Sequence, residues 1–292
     1  MRSADFNIRI DSAKAIATKT SLDMYRNICR SRFFDLEVVK AVQKRHVTYN
    51  VYLSLGQEAA AAALAPLATD YMLFTQHRCH DYYLSFGGPP EKLRDELLGL
   101  PSGTSGGRAG SNCLQCHNDN FTMFGHHGLI GENVPQAVGA ALGSGKKVLC
   151  VMGDGAAEED YIYPSLGFAV THRLPVLFIC DDNDLSILTP TSVRRSWKIS
   201  EVAKGLGMPA ADITDDPWTI YATAQEMQKK LPALINIYTC RMNWHVGVGT
   251  DGPPEWDRLN LVEQRLSELG LSKFSGQIRG EEQSAMEQLW VK

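Results

Sequence analysis

The chain has 292 residues, of which 44% are hydrophobic, and this is enough for one large or two modest domains with a buried core. The formal net charge is −4 and no block of Lys and Arg stands out, so we expect neither a nucleic-acid partner nor binding to an anionic membrane surface. The longest apolar stretches, at 59–65 and 176–180, are far too short to span a bilayer.

The start of the chain gives an expectation about the cellular compartment. The first 21 residues contain no hydrophobic stretch of the kind that secretory signals carry, and Asp5, Asp11 and Asp23 are unusual in organelle transit peptides. The seven cysteines are odd in number and spread along the chain, and a protein of this size does not need disulfides. We therefore expect a reducing, cytoplasmic location.

The first hundred residues are predicted to be mainly helical. Apolar residues at three- and four-residue spacing indicate an amphipathic helix over Leu22–Val42. Gly56-Gln57-Glu58 opens an alanine-rich run to Leu67, which indicates a buried helix, and residues 82–98 indicate helix with a break at 87–90. A glycine-rich stretch without periodicity follows at 99–131, and loops of that length are usually functional.

From Val134 onward the pattern changes to short apolar strands that alternate with helices. Strands are predicted at 147–152, 175–180 and 234–239, and helices at 135–143 and 161–171. Such alternation predicts an α/β fold, with a mostly parallel sheet that carries helices on both faces. With N-terminal helices at about 20–70 and C-terminal helices at about 255–292, we expect a single domain over 1–292.

One segment has cysteine spacing typical of haem- and zinc-binding proteins. Cys113-Leu114-Gln115-Cys116-His117 has the spacing of covalent haem attachment and of half a zinc site. Covalent haem attachment normally occurs outside the cytoplasm, and a zinc site would need distant ligands such as Cys79 and His80, because no second C-x-x-C is present. We interpret the segment as an ordinary loop with free thiols, while haem and zinc remain alternatives.

Two polar clusters follow neighbouring predicted strands, and ligands of open parallel sheets bind at the carboxyl ends of strands. Gly153-Asp154-Gly155 follows the first, and Asp182-Asn183 follows the second. A carboxylate, an amide oxygen and a nearby backbone carbonyl are hard oxygen ligands, which suit Mg²⁺ or Ca²⁺ beside a phosphate. The alternative is that the first cluster is a turn and Asn183 a helix cap.

The spacing of the two clusters resembles the thiamine diphosphate-binding motif, since residues 156–182 lie between GDG and Asn183. Further segments agree in order: GQEA at 56–59, HRCH at 77–80, GGRAGS at 106–111, HHGLIGENVPQAVGAALG at 126–143, LPVLFICDDN at 174–183, TPTS at 189–192 and YTCR at 238–241 followed by His245. Together these resemble the alpha subunit of the 2-oxo acid dehydrogenase first component over residues 20–250. The branched-chain members are nearest around VPQAVGAA and TPTS.

The resemblance implies a doubly wound thiamine diphosphate-binding fold, with thiamine diphosphate and Mg²⁺ as cofactors. It assigns the Mg²⁺ to Asp154, Asn183 and the carbonyl of Leu185. It assigns the cofactor's diphosphate and aminopyrimidine to His77, Arg78, Gly128, Ile130, Gly153, Gly155, Ala156 and His245, where His77 replaces the family's tyrosine. His245, near the reacting carbon, and His127 are the candidate catalytic residues, and the alternative for His245 is a surface histidine after a strand.

The resemblance also implies partners. In this two-subunit family the glutamate that acts on the aminopyrimidine lies on a beta chain, and this chain has room for only one of the two cofactor-binding domains. We therefore expect a separate pyrimidine-binding beta subunit, in an α₂β₂ assembly with the cofactor at the interface. A lipoyl acyltransferase is a further expected partner, and the substrate is expected to be a small carbonyl compound.

The chain departs from the family pattern at several positions that affect the substrate. Pro164 stands where the family has a glutamate, and 246–256 lack the serines of the family's regulated loop. Three hypotheses follow: 2-oxo acid decarboxylation in a dehydrogenase-like complex, which we favour; non-oxidative acyloin formation or ketol transfer; and a non-catalytic paralogue that binds a partner. Because Cys113 replaces a histidine of many relatives, Cys113 or His117 is predicted to touch the substrate.

Overall fold

A computed structural model describes residues 10–118 and 121–291, and its centre is a seven-stranded sheet. The strands within these residues are β1 (Met72–Phe74), β2 (Cys116–His117), β3 (Thr122–Phe124), β4 (Val148–Gly153), β5 (Val176–Asp182), β6 (Leu185–Ser186), β7 (Thr189–Pro190), β8 (Ala210–Thr214) and β9 (Ala233–Tyr238). The sheet has the order β2-β3-β1-β4-β5-β9-β8, and β6 pairs with β7 in a separate hairpin. In the large sheet only the β2–β3 pair is antiparallel.

The helices lie on both faces of this sheet. Those within the described residues are α1 (Ile10–Ala15), α2 (Thr18–Gln43), α3 (Ala59–Leu64), α4 (His80–Ser85), α5 (Pro90–Leu97), α6 (Asn133–Ser144), α7 (Ile162–Thr171), α8 (Thr191–Arg194), α9 (Ile199–Gly205), α10 (Pro217–Met227), α11 (Arg258–Glu268) and α12 (Ser272–Trp290). The predicted α/β fold with a mostly parallel sheet flanked by helices is confirmed.

Alternation along the central strands divides the core in two. Leu149 and Val151 of β4 pack into one apolar cluster with α2, α3, α4 and α10. Cys150 and Met152 of the same strand pack into the other, with α6, α7 and α9. Every residue of β5 is buried, as expected for a parallel strand covered on both faces. The two clusters hold the sheet rigid beneath its carboxyl edge.

The predicted helices at the two ends of the chain are confirmed and pack against each other. The spacing that predicted helix over Leu22–Val42 corresponds to α2, which packs along α12. Arg32 of α2 ties this pair to the rest of the fold, because its guanidinium bonds Glu58 at 2.5 Å and Asp257 at 2.8 Å. Asp257 also caps α11, since its side chain accepts from the Leu259 amide.

The glycine-rich stretch at 99–131 is more ordered than its sequence indicates. The buried Glu96 carboxylate accepts backbone N–H bonds from Ser105, Gly107 and Ala109 at 2.7–2.9 Å. Three backbone donors on one carboxylate fix the path of a segment that has no periodicity of its own. The stretch also contains β2 and β3, so the interpretation of its cysteine segment as a plain loop is wrong for Cys116–His117.

Two sequence predictions are only partly covered by the described residues. Residues 1–9 lie outside them, so the prediction that the N-terminus carries no targeting signal stays a prediction. Across 10–118 and 121–291, no helix is long and apolar enough to cross a membrane.

Candidate active site

The two polar clusters predicted from the sequence meet at one edge of the sheet. β4 and β5 are parallel neighbours, with Gly153 opposite Asp181, so Asp154 and Asn183 leave adjacent strands at the same end. Beside them lies a cavity of about 150 Å³. Its wall is formed by Gln76, His77, Arg78, His126, Ile130, Gly131, Gly153, Asp154, Gly155, Ala156, Asn183, Leu185, Ser186, Ile187 and His245.

Asp154 is a buried carboxylate that is compensated by positive charge. Its Oδ2 accepts from Arg194 and, at 3.4 Å, from the hydroxyl of Thr191. Burial and then the neighbouring Asp182 raise the pKa of Asp154 to about 6, and Arg194 opposes this rise. Arg195 donates to the Asp154 carbonyl at 2.6 Å. The carboxylate therefore lies where a cation offsets the cost of its burial.

Asn183 is held in a defined orientation by its neighbours. Its Nδ2 donates to Gln57 Oε1 at 3.0 Å, and its Oδ1 accepts from the Leu185 amide at 3.1 Å. The segment that follows is strained, because Asp184 has φ +67° and the β-branched Ile187 has φ +55°. Strained backbone of this kind clusters at binding sites, where the surrounding structure enforces it.

Two glycines let neighbouring side chains pack directly against the backbone at the end of β4. A Cβ on Gly155 would lie 2.6 Å from the Ser186 hydroxyl, and a Cβ on Gly153 would lie 2.9 Å from Gln76 Oε1. Any larger residue would therefore push the β6–β7 hairpin or Gln76 away from the cavity. The glycines of the GDG cluster are thus required by packing at the cavity wall.

Arg78 brings a buried guanidinium to the cavity wall. It donates to two backbone carbonyls, that of Leu53 and, at 3.2 Å, that of His245. Burial, and then the positive charge of Arg241, lowers the pKa of Arg78 to about 10, so the side chain remains protonated at neutral pH. Two buried cations close together favour an anion at this end of the cavity.

Three histidines lie at the same end of the cavity. The ring of His77 is centred 5.1 Å from that of His245 and 5.9 Å from that of His126, and Tyr52 packs edge-on against His77. Burial is the first cause that lowers the pKa of each of these histidines. Arg78 adds to it at His77 and His245, and His127 adds to it at His126. All three imidazoles are therefore neutral at pH 7.

Gln76 connects the cavity wall to a buried acid behind it. Its Nε2 donates to Asp181 Oδ2 at 3.0 Å, and Tyr82 donates to the same carboxylate at 3.3 Å. Burial raises the pKa of Asp181 to about 7, and these hydrogen bonds oppose the rise. Neither Gln76 nor Asp181 was selected from the sequence.

Most of the site residues predicted from the sequence line the cavity, and two do not. His127 and Gly128 are exposed and are absent from the cavity wall, whereas His126, the preceding residue, lies on it. Successive residues of an extended loop point in opposite directions, which puts His126 rather than His127 on this wall. The roles predicted for His127 and Gly128 stay predictions. Sequence reasoning also missed Gly131, Ser186 and Ile187.

The cysteine segment lies away from the cavity wall. Cys116 is buried in β2, and His117 Nδ1 bonds the Thr122 hydroxyl at 2.8 Å across the β2–β3 pair. Neither Cys113 nor His117 is among the residues that line the cavity, and the prediction that one of them touches substrate stays a prediction. No group of three or more His, Cys, Asp or Glu residues is placed to hold a metal ion within the described parts of the chain.

A comparison with protein-family models gives one match. The model of the dehydrogenase E1 component matches residues 26–263, which contain every strand and every residue of the cavity wall. The chain belongs to the dehydrogenase E1 component family. The recognition of a 2-oxo acid dehydrogenase alpha subunit from the sequence motifs is thereby confirmed at the level of the family.

Curated E1 relatives are similar over part of their length. The mitochondrial pyruvate dehydrogenase E1 component subunit alpha of Dictyostelium discoideum is 34% identical over 57% of this chain and 45% of the relative. The mitochondrial pyruvate dehydrogenase E1 component subunit alpha of Schizosaccharomyces pombe is 27% identical over 82% of this chain and 61% of the relative. The pyruvate dehydrogenase E1 component subunit alpha of Zymomonas mobilis is 30% identical, over 65% and 55%. The chain thus spans between 45% and 61% of the length of these three relatives.

Proposed function

We propose that the chain is the alpha-type subunit of a thiamine diphosphate- and Mg²⁺-dependent enzyme that decarboxylates a 2-oxo acid in a dehydrogenase-like complex. The observation that carries the proposal is the meeting of Asp154, Asn183 and Arg78 around one cavity at the carboxyl edge of the sheet. The names of the E1 relatives support the same reaction class. The whole chain would then be one thiamine diphosphate-binding domain.

The donors at the β4 and β5 ends fit a magnesium ion. Asp154 offers a buried carboxylate that already bonds a cation, Arg194, and Asn183 offers an amide oxygen on the adjacent strand end. With the carbonyl of Leu185 these would give three hard oxygen ligands, and phosphate oxygens or water would complete the six that Mg²⁺ prefers. In this assignment Mg²⁺ takes over from Arg194 the role of balancing Asp154.

The remaining residues of the cavity wall fit a diphosphate. Arg78 bonds only to backbone carbonyls among the described residues, so no carboxylate competes for its charge by a direct ion pair. Gly153 and Gly155 lie on the cavity wall and have no side chains of their own to shield their backbone amides from phosphate oxygens. We assign the diphosphate to Arg78, Gly153, Gly155 and Ala156, and contacts with the aminopyrimidine to Ile130.

When bound, thiamine diphosphate supplies an electron sink for cleavage of the bond next to a carbonyl. The residues of this chain would bind and orient it and handle protons around it. His245 is suited to the second role, because its neutral imidazole has one nitrogen that can accept a proton and one that can donate a proton. Binding and orienting the cofactor would be the role of Asp154, Asn183 and Arg78, which would hold its diphosphate end.

The size and surroundings of the cavity support a second subunit. Its volume of about 150 Å³ is well below the roughly 300–1,000 Å³ of complete ligand pockets. Apolar side chains are exposed next to wall residues: Leu129 at 62%, Leu188 at 72% and Trp244 at 56%. We propose that a pyrimidine-binding beta-type subunit covers this rim and completes the site in an α₂β₂ assembly. A lipoyl acyltransferase as acceptor and a cytoplasmic location remain proposals.

Substitution of the metal-binding carboxylate tests the proposal. Asp154→Asn removes the charge that Mg²⁺ requires, so we expect Mg²⁺-dependent binding of thiamine diphosphate to weaken at least a hundredfold in calorimetry. Asp160→Asn, which changes an exposed carboxylate of the same loop, is the matched control and should bind as the wild type does. Equal affinity of Asp154→Asn and the control would contradict the metal assignment.

A further inference from the structure

Three histidines of the cavity wall take no part in the magnesium and diphosphate contacts proposed above, although the family resemblance assigns His77 and His245 to the cofactor. His77 follows β1 and His126 follows β3, which are adjacent parallel strands, so both histidines leave the sheet at the same end. The stacked rings of Phe74 and Phe124, 4.7 Å apart, hold these two strand ends together. With His245 they form what we call the histidine wall.

The histidine wall contains a buried polar atom that no protein group satisfies. The Nε2 of His77 is buried and makes no hydrogen bond with any other described residue. An unsatisfied buried polar atom destabilises a protein unless a ligand or water satisfies it. Since His77 lines the cavity, its unpaired atom points to a polar group of a bound ligand.

The protonation state of the histidine wall indicates which polar group it suits. Burial and the charges of Arg78 and Arg241 lower the pKa of His77 and His245. Each neutral imidazole has one donor and one acceptor nitrogen. A carboxylate or phosphate uses donors alone and is better served by the nearby Arg78, whereas a hydroxyl both donates and accepts.

Rigid packing makes the histidine wall suitable for selection. Tyr52 packs edge-on against both His77 and His245, with ring centres 5.0 and 5.6 Å away. These rings therefore cannot turn away from an unsuitable ligand without breaking packing. A site built to bond a hydroxyl rejects an analogue that lacks it, because the polar groups of the site are then left unpaired.

We infer that His77, supported by His126, selects a 2-oxo acid that carries a hydroxyl group over one with a purely aliphatic side chain. This inference rests on the proposed function and names the substrate class of the same site. His77 acts as a specificity-determining residue, whose Nε2 exchanges a hydrogen bond with the substrate hydroxyl. The apolar wall residues Ile130, Leu185 and Ile187 can make no such bond.

The test compares two substrates that differ by one hydroxyl, pyruvate and hydroxypyruvate. The chain is assembled with its pyrimidine-binding subunit, thiamine diphosphate and Mg²⁺, and kcat/KM is measured with a dye as electron acceptor. We expect the wild type to prefer hydroxypyruvate by about tenfold to a hundredfold. His77→Phe should lose this preference, and His77→Gln, which keeps a nitrogen donor, should retain most of it.

Controls separate this inference from the function on which it rests. His46→Phe changes an exposed histidine away from the cavity and should keep the wild-type preference. If His77→Phe does not fold, His126→Phe serves in its place and should reduce the preference. A wild type that prefers pyruvate, or a preference unchanged in a folded variant with normal cofactor affinity, would overturn the inference alone. Failure of the wild type to bind thiamine diphosphate would overturn the proposed function and the inference with it.

Discussion

His245 lies beside two buried guanidinium groups, those of Arg78 and Arg241. Burial is the main cause that lowers the pKa of His245 to about 4, and the two arginines add to it. Arg241 is itself fixed by Asp251, with Nε 2.7 Å from Oδ2, and by the Ile187 carbonyl at 3.0 Å. The charge that keeps His245 neutral is therefore built into the loops on both sides of the cavity.

The titration of His245 tests this description of its surroundings. We expect the ring of His245 to titrate near pH 4 in the folded chain and near 6.5 in the denatured chain. NMR follows the ring signals with pH, and the signal that is lost in His245→Gln belongs to this residue. Because the unfolded chain binds more protons at His245 between these two values, the contribution of His245 to stability should fall as the pH drops from 6.5 towards 4. A midpoint close to 6.5 in the folded chain would show that the ring is neither buried nor close to the arginines.

The sequence predicted the cavity-lining residues at the ends of β4 and β5 and several from loops, but in one loop it selected His127 where His126 lines the cavity. Asp154 and Asn183 could be predicted because apolar strands followed by glycine and acidic residues fix where each strand stops. The choice between His126 and His127 depends on the direction of one loop residue, which no local pattern encodes. The pairing of Asp154 with Arg194 joins residues 40 positions apart, which only the folded chain brings together, so it could not be predicted from a local pattern.

At the scale of elements, two helices end in the same left-handed backbone conformation with different residues. Gly145 ends α6 with φ +66°, and Arg173 follows α7 with φ +50°. In each case a backbone amide at the helix end donates to a carbonyl of the last turn. The Gly145 amide donates to the Ala141 carbonyl, and the Leu174 amide donates to the Ala169 carbonyl, both at 2.9 Å. A side chain in this conformation is strained, and glycine is not.

This difference predicts opposite effects of two substitutions. Arg173→Gly should raise the free energy of unfolding by about 1 kcal/mol, because Arg173 is exposed and only its strained backbone changes. Gly145→Ala should lower it by about 1 kcal/mol, since the same strain is introduced where no atom of another residue crowds the new methyl. Urea unfolding measures both, and changes of the same sign would contradict the account.

Long buried strands were predictable and short ones were not. β4, β5 and β9 have six or seven residues in near-continuous apolar runs, which is the pattern of central parallel strands. β1, with three residues, and β2, with two, are too short for any periodicity, and they form only because neighbouring strands provide hydrogen-bond partners. β8 lies at the sheet edge and its five residues are all partly buried, so it lacks the apolar run by which the central strands were predicted.

At the scale of the whole molecule, a buried ion pair attaches the C-terminal helices to the sheet. Arg258, the first residue of α11, pairs with Asp215, which follows β8, and both side chains are at most 1% exposed. Asp215 also accepts from the Thr239 hydroxyl at 3.0 Å, beyond the end of β9. Burial raises the pKa of Asp215 while Arg258 opposes that rise, so each charge depends on the other.

Removal of one partner should therefore be costly. Arg258→Met leaves the Asp215 carboxyl buried without its cation, and we expect the free energy of unfolding to fall by about 3–5 kcal/mol. Arg265→Met on the same helix breaks a partly exposed pair with Glu268 and should change it by less than about 0.5 kcal/mol. Equal losses for the two variants in urea unfolding would show that the buried pair has no special role in attaching α11.

The central claim is that this chain supplies the diphosphate- and metal-binding half of a thiamine-dependent active site. The most direct measurement is calorimetry of thiamine diphosphate with the purified chain, with and without Mg²⁺ and with and without the beta-type subunit. We expect binding that requires Mg²⁺ and that strengthens when the beta-type subunit completes the site. No binding under any of these conditions, or binding of equal strength without Mg²⁺, would contradict it.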